Sequence, residues 1–355
     1  MTAAPTLGVI ANPISARDIR RVVANAGNLQ ITDRVNIVLR VLQAARAAGV
    51  VRALMMPDRA GIRALLERHL RRGDSSLPEL RWLDMQPSST VDDTFVATRL
   101  LQRAGAAAIV VLGGDGTHRA VVRELVASDE ARPPIVGLST GTNNAFPELR
   151  EPTIAGLAAG LWAAGRLRAA EVLVGNKLVE VEIDAAAGAR RDVAIVDAVV
   201  THDRSVGARA LWKTGSLDAA YLAFAEPQAI GLSSIGGLLQ PVGRREPGGL
   251  AVQLAAGAGE SVLTLHAPIA PGLVRPVSVA GWQPMRCGQP HTVRATAGTV
   301  ALDGERELAF HPGERVTMTL RENAFETLDV AQAMAVAARD GLLRQAVRDA
   351  GFAHP

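Results

Sequence analysis

A single cysteine, Cys287, is the only thiol in a chain of 355 residues. That excludes an internal disulfide and any zinc cluster built on cysteines. The seven histidines are scattered without the i, i+4 spacing of a helical metal site, so a histidine-built metal centre is not expected either. Aromatic residues make up only 3%, and the core must therefore be assembled from Ala, Val, Leu and Ile. Lysine is almost missing: Lys177 and Lys213 are the only two, and the remaining basic side chains are arginines. The net charge is nonetheless only +3, and no aromatics interleave with basic runs such as Arg68-His69-Leu70-Arg71-Arg72. Such a run reads as a solvated helix end, and nucleic acid is not expected as a partner. No apolar run approaches the roughly 20 residues of a membrane span, and no signal-like leader precedes LGVIANP. Membrane association is not expected, and the cytoplasm is the expected location.

What is present is enough apolar sequence for two domains with separate cores. Short apolar runs at 7–11, 51–56, 107–112 and 135–138 alternate with helical patterns at 35–48, 91–104 and 118–127. Near-continuously apolar strands alternating with helices predict an α/β domain with a doubly wound parallel sheet. After about residue 150 the pattern changes. A turn is expected at Gly175-Asn176, followed by an alternating half-buried strand through Val179, Val181 and Ile183. Further strand-like runs lie at 192–200, 261–267, 292–302 and 308–320, and a closing helix is expected within 327–348. The division expected is an α/β nucleotide domain over 1–149, completed by the C-terminal helix within 327–355, and a β-rich acceptor domain over 150–326.

Two glycine-rich turns follow consecutive strands of the first domain, GGDGT at 113–117 and STGTNN at 139–144. In one parallel sheet both would emerge at its carboxyl edge, where open α/β sheets bind ligands. Gly113, Gly114 and Gly116 can adopt positive φ and bring amides close to an anion, and the following helix adds the positive end of its dipole. A carboxylate inside a phosphate cradle needs a reason to be there. Asp115 either caps the helix as an ordinary turn residue or holds Mg²⁺ or a substrate hydroxyl. Thr140, Thr142, Asn143 and Asn144 supply donors beyond what a turn requires. The spacings of a P-loop and of a dinucleotide-binding G-x-G-x-x-G are absent. A second Asp-rich motif of the phosphofructokinase kind is missing too.

GGDGT after an apolar strand, ANPISARD at 11–18 and STGTNN resemble the superfamily of NAD kinases, diacylglycerol kinases and sphingosine kinases. Within it, GVIANPISARDIRR, GGDGTHRAV, STGTNNAFPELREPT and AEPQAIGLSSIGG most resemble the AcoX proteins, ATP-NAD-kinase-like products associated with acetoin catabolism. The resemblance implies an α/β nucleotide domain and a β-rich domain with the active site between them. It implies that Gly113, Gly114, Gly116 and Thr117 contact ATP phosphates and that Asp115 acts on Mg²⁺ or on the acceptor hydroxyl. It places Asn12 near the phosphates, and Thr140, Gly141, Thr142, Asn143 and Asn144 near nucleotide or acceptor. Two features depart from the pattern: Ala16 stands where Gly often follows the first-strand Ser, and no Asn-Glu pair of the NAD kinase kind follows downstream.

VALDGERELAF places Asp303-Gly304 between two strand-like runs, a hairpin signal. Lipid kinases of the superfamily carry a similar Asp-Gly-Glu, which implies Glu305 as the base that deprotonates the acceptor beside Asp115. His118 reads as a helix-start residue. His202 is a weak candidate, and Asp203 and Arg209 in THDRSVGARALW, with Asp303, are candidates for the acceptor pocket. The activity expected is transfer of phosphate from ATP, with Mg²⁺, to a hydroxyl of a small molecule. NAD is the first named acceptor, an acetoin-related compound or polyol the next. A nucleotide-binding regulator without chemistry is the rival. A homodimer is the assembly the family implies.

Overall fold

The computed structural model describes residues 4–13, 29–71, 76–140, 144–202, 214–255, 259–304 and 306–344. Five strands, β1 (Thr6–Ala11), β2 (Arg52–Met55), β3 (Glu79–Trp82), β4 (Ala108–Gly113) and β5 (Ile135–Ser139), lie parallel in the order β3-β2-β1-β4-β5. Every residue of β1 and β4 is buried, because helices cover both faces. Successive side chains point to opposite faces, so Leu7, Val9, Val110 and Leu112 join one core while Ile10, Ile109 and Val111 join the other. The first core is closed by α1 (Ile31–Ala47) and the second by α3 (Asp92–Arg103) and α4 (Asp115–Ala127). α2 (Ile62–Leu70) flanks the sheet beside α1 and ends in the basic run read as a solvated helix end.

α5 (Pro152–Ala163) starts on Glu151, whose carboxylate accepts the Ile154 amide at 3.0 Å, and lies against α1. Gly156 and Gly160 let the two helices touch: a Cβ on Gly156 would stand 2.4 Å from the Val41 carbonyl oxygen. After the one-turn α6 (Ala169–Val172) the chain enters β6 (Leu173–Asp184) and β7 (Arg190–Ala194). These do not begin a separate sheet. The long final strand β16 (Arg315–Leu328) pairs antiparallel with β6 and, at Thr327, parallel with β5, so the first sheet runs on as β5-β16-β6-β7.

The second sheet is wholly antiparallel, in the order β11-β12-β10-β9-β8-β14-β15. Its strands are β8 (Asp197–Thr201), β9 (Leu217–Leu222), β10 (Gly249–Leu254), β11 (Leu263–Ala270), β12 (Leu273–Met285), β14 (Gly298–Leu302) and β15 (Arg306–Phe310). The short β13 (Pro290–Thr292) pairs with β16 instead. One face of this sheet packs on β6 and β16, and the other carries α7 (Ser233–Leu239). The closing helix α8 (Val330–Arg339) returns to the first core through Val330, Ala333, Val336 and Ala337. No described helix is long and apolar enough to cross a membrane.

Several elements differ from the sequence reading. Gly175-Asn176 is no turn but lies inside β6, opposite a bulge of β16 at Asn323. A side chain on Gly175 would collide with the Asn323 amide, 2.2 Å from its Cβ position, which explains a glycine in mid-strand. The run 192–200 is two strands separated at Ile195-Val196, and 308–320 is two strands separated by the turn at 311–314. The closing helix begins later than expected, at Val330, because β16 extends to Leu328 and Asp329 caps the helix by accepting the Gln332 amide at 3.0 Å.

Candidate active site

The β4 strand ends on Gly113, and α4 begins two residues later. Gly114 is its N-cap, with φ −95°, and Asp115 stands in the first helical turn. Asp115 is therefore not the helix cap, and α4 starts three residues earlier than the pattern at 118–127 indicated. Nor do Gly113, Gly114 and Gly116 use positive φ. Gly113 is required for a different reason: a Cβ there would lie 2.6 Å from the Thr117 side chain, so glycine lets the helix close directly over the strand end.

Asp115 reaches across to the neighbouring turn. One carboxylate oxygen accepts the Ala145 amide at 2.9 Å and the other the Phe146 amide at 2.8 Å. The opposite side of that turn is gripped by Arg244, from the loop between α7 and β10, which donates to the Phe146 carbonyl at 2.6 Å and to the Ala145 carbonyl. Arg244 also pairs with Glu226 at 3.3 Å and lies 4.8 Å over the Phe224 ring. The loop carrying it is fixed by the buried Lys177, whose ammonium donates to the carbonyls of Gly243, Glu246 and Gly248 at 2.7–3.0 Å. Burial lowers the Lys177 pKa to about 8. A continuous chain of contacts thus links the β-rich half to the Asp115 carboxylate.

Asn12 leaves the end of β1 on the other side of the turn. Its amide donates to Leu112 at 3.2 Å, its carbonyl accepts from the buried Arg34 at 2.8 Å, and its side chain donates to the Thr117 hydroxyl at 3.0 Å. The Thr140 amide extends the β4–β5 ladder by donating to Gly113, and the Asn144 side chain donates to the Ser139 hydroxyl at 2.7 Å. Asn12, Gly113, Gly114, Asp115, Gly116, Thr117, Thr140 and Asn144 are thus brought to one sheet edge. Gly141, Thr142, Asn143, Asp203, Arg209 and Glu305 lie outside the described residues.

His118 is fully buried one position further on. Its Nδ1–H donates to the Gly114 carbonyl at 2.9 Å, and burial pushes its pKa down to about 4, so the ring is neutral. Its Nε2 has no hydrogen-bond partner among the described residues and points at Gly137 of β5, where a Cβ would be 2.9 Å away. This is a packed structural histidine. His202 is half exposed and 3.5 Å from Asp218.

The hairpin at Asp303-Gly304 forms as the dipeptide indicated, joining β14 to β15 with φ of 49° and 69°. Two positive φ values are what an Asp-Gly hairpin turn supplies. The Asp303 side chain is buried. It turns inward and accepts the amides of Ile195, Val196 and Asp197 at 2.8–3.1 Å, bridging the break between β7 and β8. Burial nonetheless raises its pKa to about 7, against the pull of those amides and of Arg119, and with the added repulsion of Asp115.

That break carries a residue which sequence reasoning missed. Asp197, the first residue of β8, is buried, and its carboxylate makes no hydrogen bond within the described residues. Burial, then the charges of Asp303 and Asp115, raise its pKa well above the ordinary carboxylate value. Asp197 falls inside the strand-like run 192–200 with no local signal to single it out, and only the pairing of β8 with β14 sets it beside Asp303. Three carboxylates from three distant segments so share one field at the edge of the parallel sheet. A second buried constellation supports them: Arg119 of α4 pairs with Asp192 of β7 at 3.2 Å, both almost wholly enclosed.

A glycine turn at the carboxyl edge of a parallel sheet, overhung by carboxylates from a β-rich half, is the arrangement of a kinase-like nucleotide-binding protein. Residues 7–166 match the family model of the ATP-NAD kinase N-terminal domain, and residues 177–323 that of the acetoin catabolism protein X C-terminal domain. The chain is 60% identical over 345 residues to Acetoin catabolism protein X of Cupriavidus necator, with 96% of this chain and 94% of the relative covered. The chain belongs to the acetoin catabolism protein X family. Among solved structures, yeast NADH kinase complexed with NADH aligns at 12% identity and a TM-score of 0.48 over 90% of this chain and 79% of that one. A putative diacylglycerol kinase from Bacillus anthracis aligns at 12% identity and a TM-score of 0.43 over 92% and 98%.

Proposed function

We propose that the protein is an ATP- and Mg²⁺-dependent phosphotransferase acting on a hydroxyl of a small molecule, with NAD the first acceptor to test and an acetoin-related compound or small polyol the next. The observation that carries this reading is Asp197: a buried carboxylate with no hydrogen-bond partner among the described residues, its pKa raised by burial and by the charges of Asp303 and Asp115. Burial makes this carboxylate a stronger proton acceptor than an ordinary aspartate. Asp197 takes the acceptor's hydroxyl proton, and the resulting oxygen forms a bond to the γ-phosphorus. The bond from that phosphorus to the bridging oxygen breaks, and ADP leaves with the electron pair. The positive end of the α4 dipole faces the phosphate oxygens, and the Asp115 brace keeps the two turns in register.

Among the described residues no group of three or more His, Cys, Asp or Glu could hold a metal by itself. Asp197 would be the carboxylate for a cation that arrives with the phosphates, since Mg²⁺ takes one or two carboxylates plus phosphate oxygens and water. Bound there, it would neutralise phosphate charge that three carboxylates otherwise repel. A homodimer is the proposed assembly, which sedimentation velocity tests.

A second reading has its own support. Both oxygens of Asp115 are engaged by backbone amides, which is the role of a structural brace and is what a nucleotide-binding regulator would keep. ADP release from Mg·ATP, measured against NAD, NADH, acetoin, butanediol, small polyols and diacylglycerol, separates the two. Turnover with one acceptor that falls about 10²–10⁴-fold in Asp197→Asn, with ATP binding retained, supports the transferase. Measurable ATP binding without turnover on any acceptor supports the regulator.

A further inference from the structure

The second sheet holds a polar cavity of about 700 Å³, lined by residues none of which belongs to the carboxylate cluster. Tyr221 on β9 and Gln283 on β12 flank Ala251 of β10 at one level of the sheet and form its floor. Arg286, His291 and Arg294, on and around β13, form a wall, and the indole of Trp282, 39% exposed, stands at its rim.

The charge of this lining is one-sided. Neither Arg286 nor Arg294 is in an ion pair among the described residues, and no Asp or Glu lines the cavity. Asp218, the carboxylate whose field reaches Tyr221, is 3.5 Å from His202. The His291 ring packs edge-on to Tyr221 at 6.3 Å, and its Nε2 is enclosed by the protein with no hydrogen-bond partner among the described residues. Two unpaired guanidinium groups attract an anion and can bind it bidentately. An exposed indole suits a planar ring, and the volume is that of small-molecule sites.

We propose that this cavity is a second ligand site that takes a small anion carrying a planar ring, of mononucleotide size. Arg286 and Arg294 hold the phosphate, and the ring lies against Trp282. This assignment does not depend on the phosphotransferase reading, because it uses none of the residues at the glycine turn.

Calorimetric titration of the full chain at low salt with AMP, inorganic phosphate and adenosine tests it. AMP is expected to bind at least about tenfold more tightly than either fragment. The double variant Arg286→Ala/Arg294→Ala is expected to weaken AMP at least about tenfold. Both side chains are exposed, and an unchanged circular dichroism spectrum shows that the fold persists. Trp282→Ala is expected to weaken AMP and leave phosphate unchanged. AMP binding undiminished in the double variant places the nucleotide elsewhere and overturns the proposal, as does the absence of binding by all three probes. Phosphate binding as tight as AMP overturns the assignment of a ring-bearing ligand.

Discussion

Asp115 works through what it holds. Its carboxylate and the Arg244 guanidinium grip the same two residues, one through the amides of Ala145 and Phe146, the other through their carbonyls. Arg244→Ala is expected to cost about 1–3 kcal/mol in urea denaturation and to lower nucleotide affinity. Arg244→Lys should restore little, because a single ammonium does not reproduce the planar fork. Two buried titratable groups give opposite pH dependences. His118 has a folded pKa of about 4 against 6.5 when unfolded, so its contribution is complete above pH 6.5 and is lost as pH falls toward 4, by about 3 kcal/mol at most. Asp303 has a folded pKa of about 7 against 3.8; its contribution is complete below pH 3.8 and is lost as pH rises through 7. Denaturation of wild type, His118→Asn and Asp303→Asn at pH 5 and pH 8 checks both signs. Relative to its variant, the wild type should gain from His118 at the higher pH and from Asp303 at the lower.

At the scale of elements, the glycine turn depends on how closely α4 sits on β4, and the first core on how closely α1 sits on α5. Gly156→Ala drives a methyl to 2.4 Å from the Val41 carbonyl oxygen, and overpacking of this kind costs about 1–3 kcal/mol. Gly215→Ala is the control, since its Cβ would meet nothing within 4 Å and its φ is not positive; it should stay within about 0.5 kcal/mol. Thermal or urea unfolding of the two variants compares them directly. An equal loss in both would show that the close approach of the helices is not what Gly156 serves. The Asp303-Gly304 hairpin is the other element with a double duty. It turns the chain, and it supplies the acceptor that satisfies three amides at the break between β7 and β8.

At the scale of the molecule, the two halves share a sheet. β16 is inserted between β5 and β6, and α8 closes the core formed by β1, β4, α1 and α5. Far-ultraviolet circular dichroism and tryptophan fluorescence should therefore report coincident unfolding transitions. A fragment ending at residue 166 lacks β16 and α8, leaving the edge of β5 and the apolar surface under Val330, Ala333 and Val336 uncovered. That fragment is expected to bind a hydrophobic dye and to lose cooperative unfolding. A sharp transition close to that of the full chain would contradict the coupling.

The amino-acid sequence by itself determined the local structure whose cause is local. The apolar runs at β1, β4 and β5 become buried parallel strands, the Asp303-Gly304 pair becomes a hairpin turn, and the GGDGT turn lies at the carboxyl edge beside Asn12 and Thr140, because strand burial, turn chemistry and strand direction follow from neighbouring residues. Only the tertiary structure decided what depends on contacts between distant segments. It ran β6 straight through Gly175-Asn176, since the partner bulge at Asn323 needed the space. It turned the Asp303 side chain inward, toward unpaired amides that no local pattern announces. It set Asp197 beside Asp303 and Asp115, from segments nearly two hundred residues apart, and it brought Arg244 to the turn that Asp115 holds. The candidate chemistry lies in those long-range pairings, where the free energy of burying a charge is set by which groups the fold places around it.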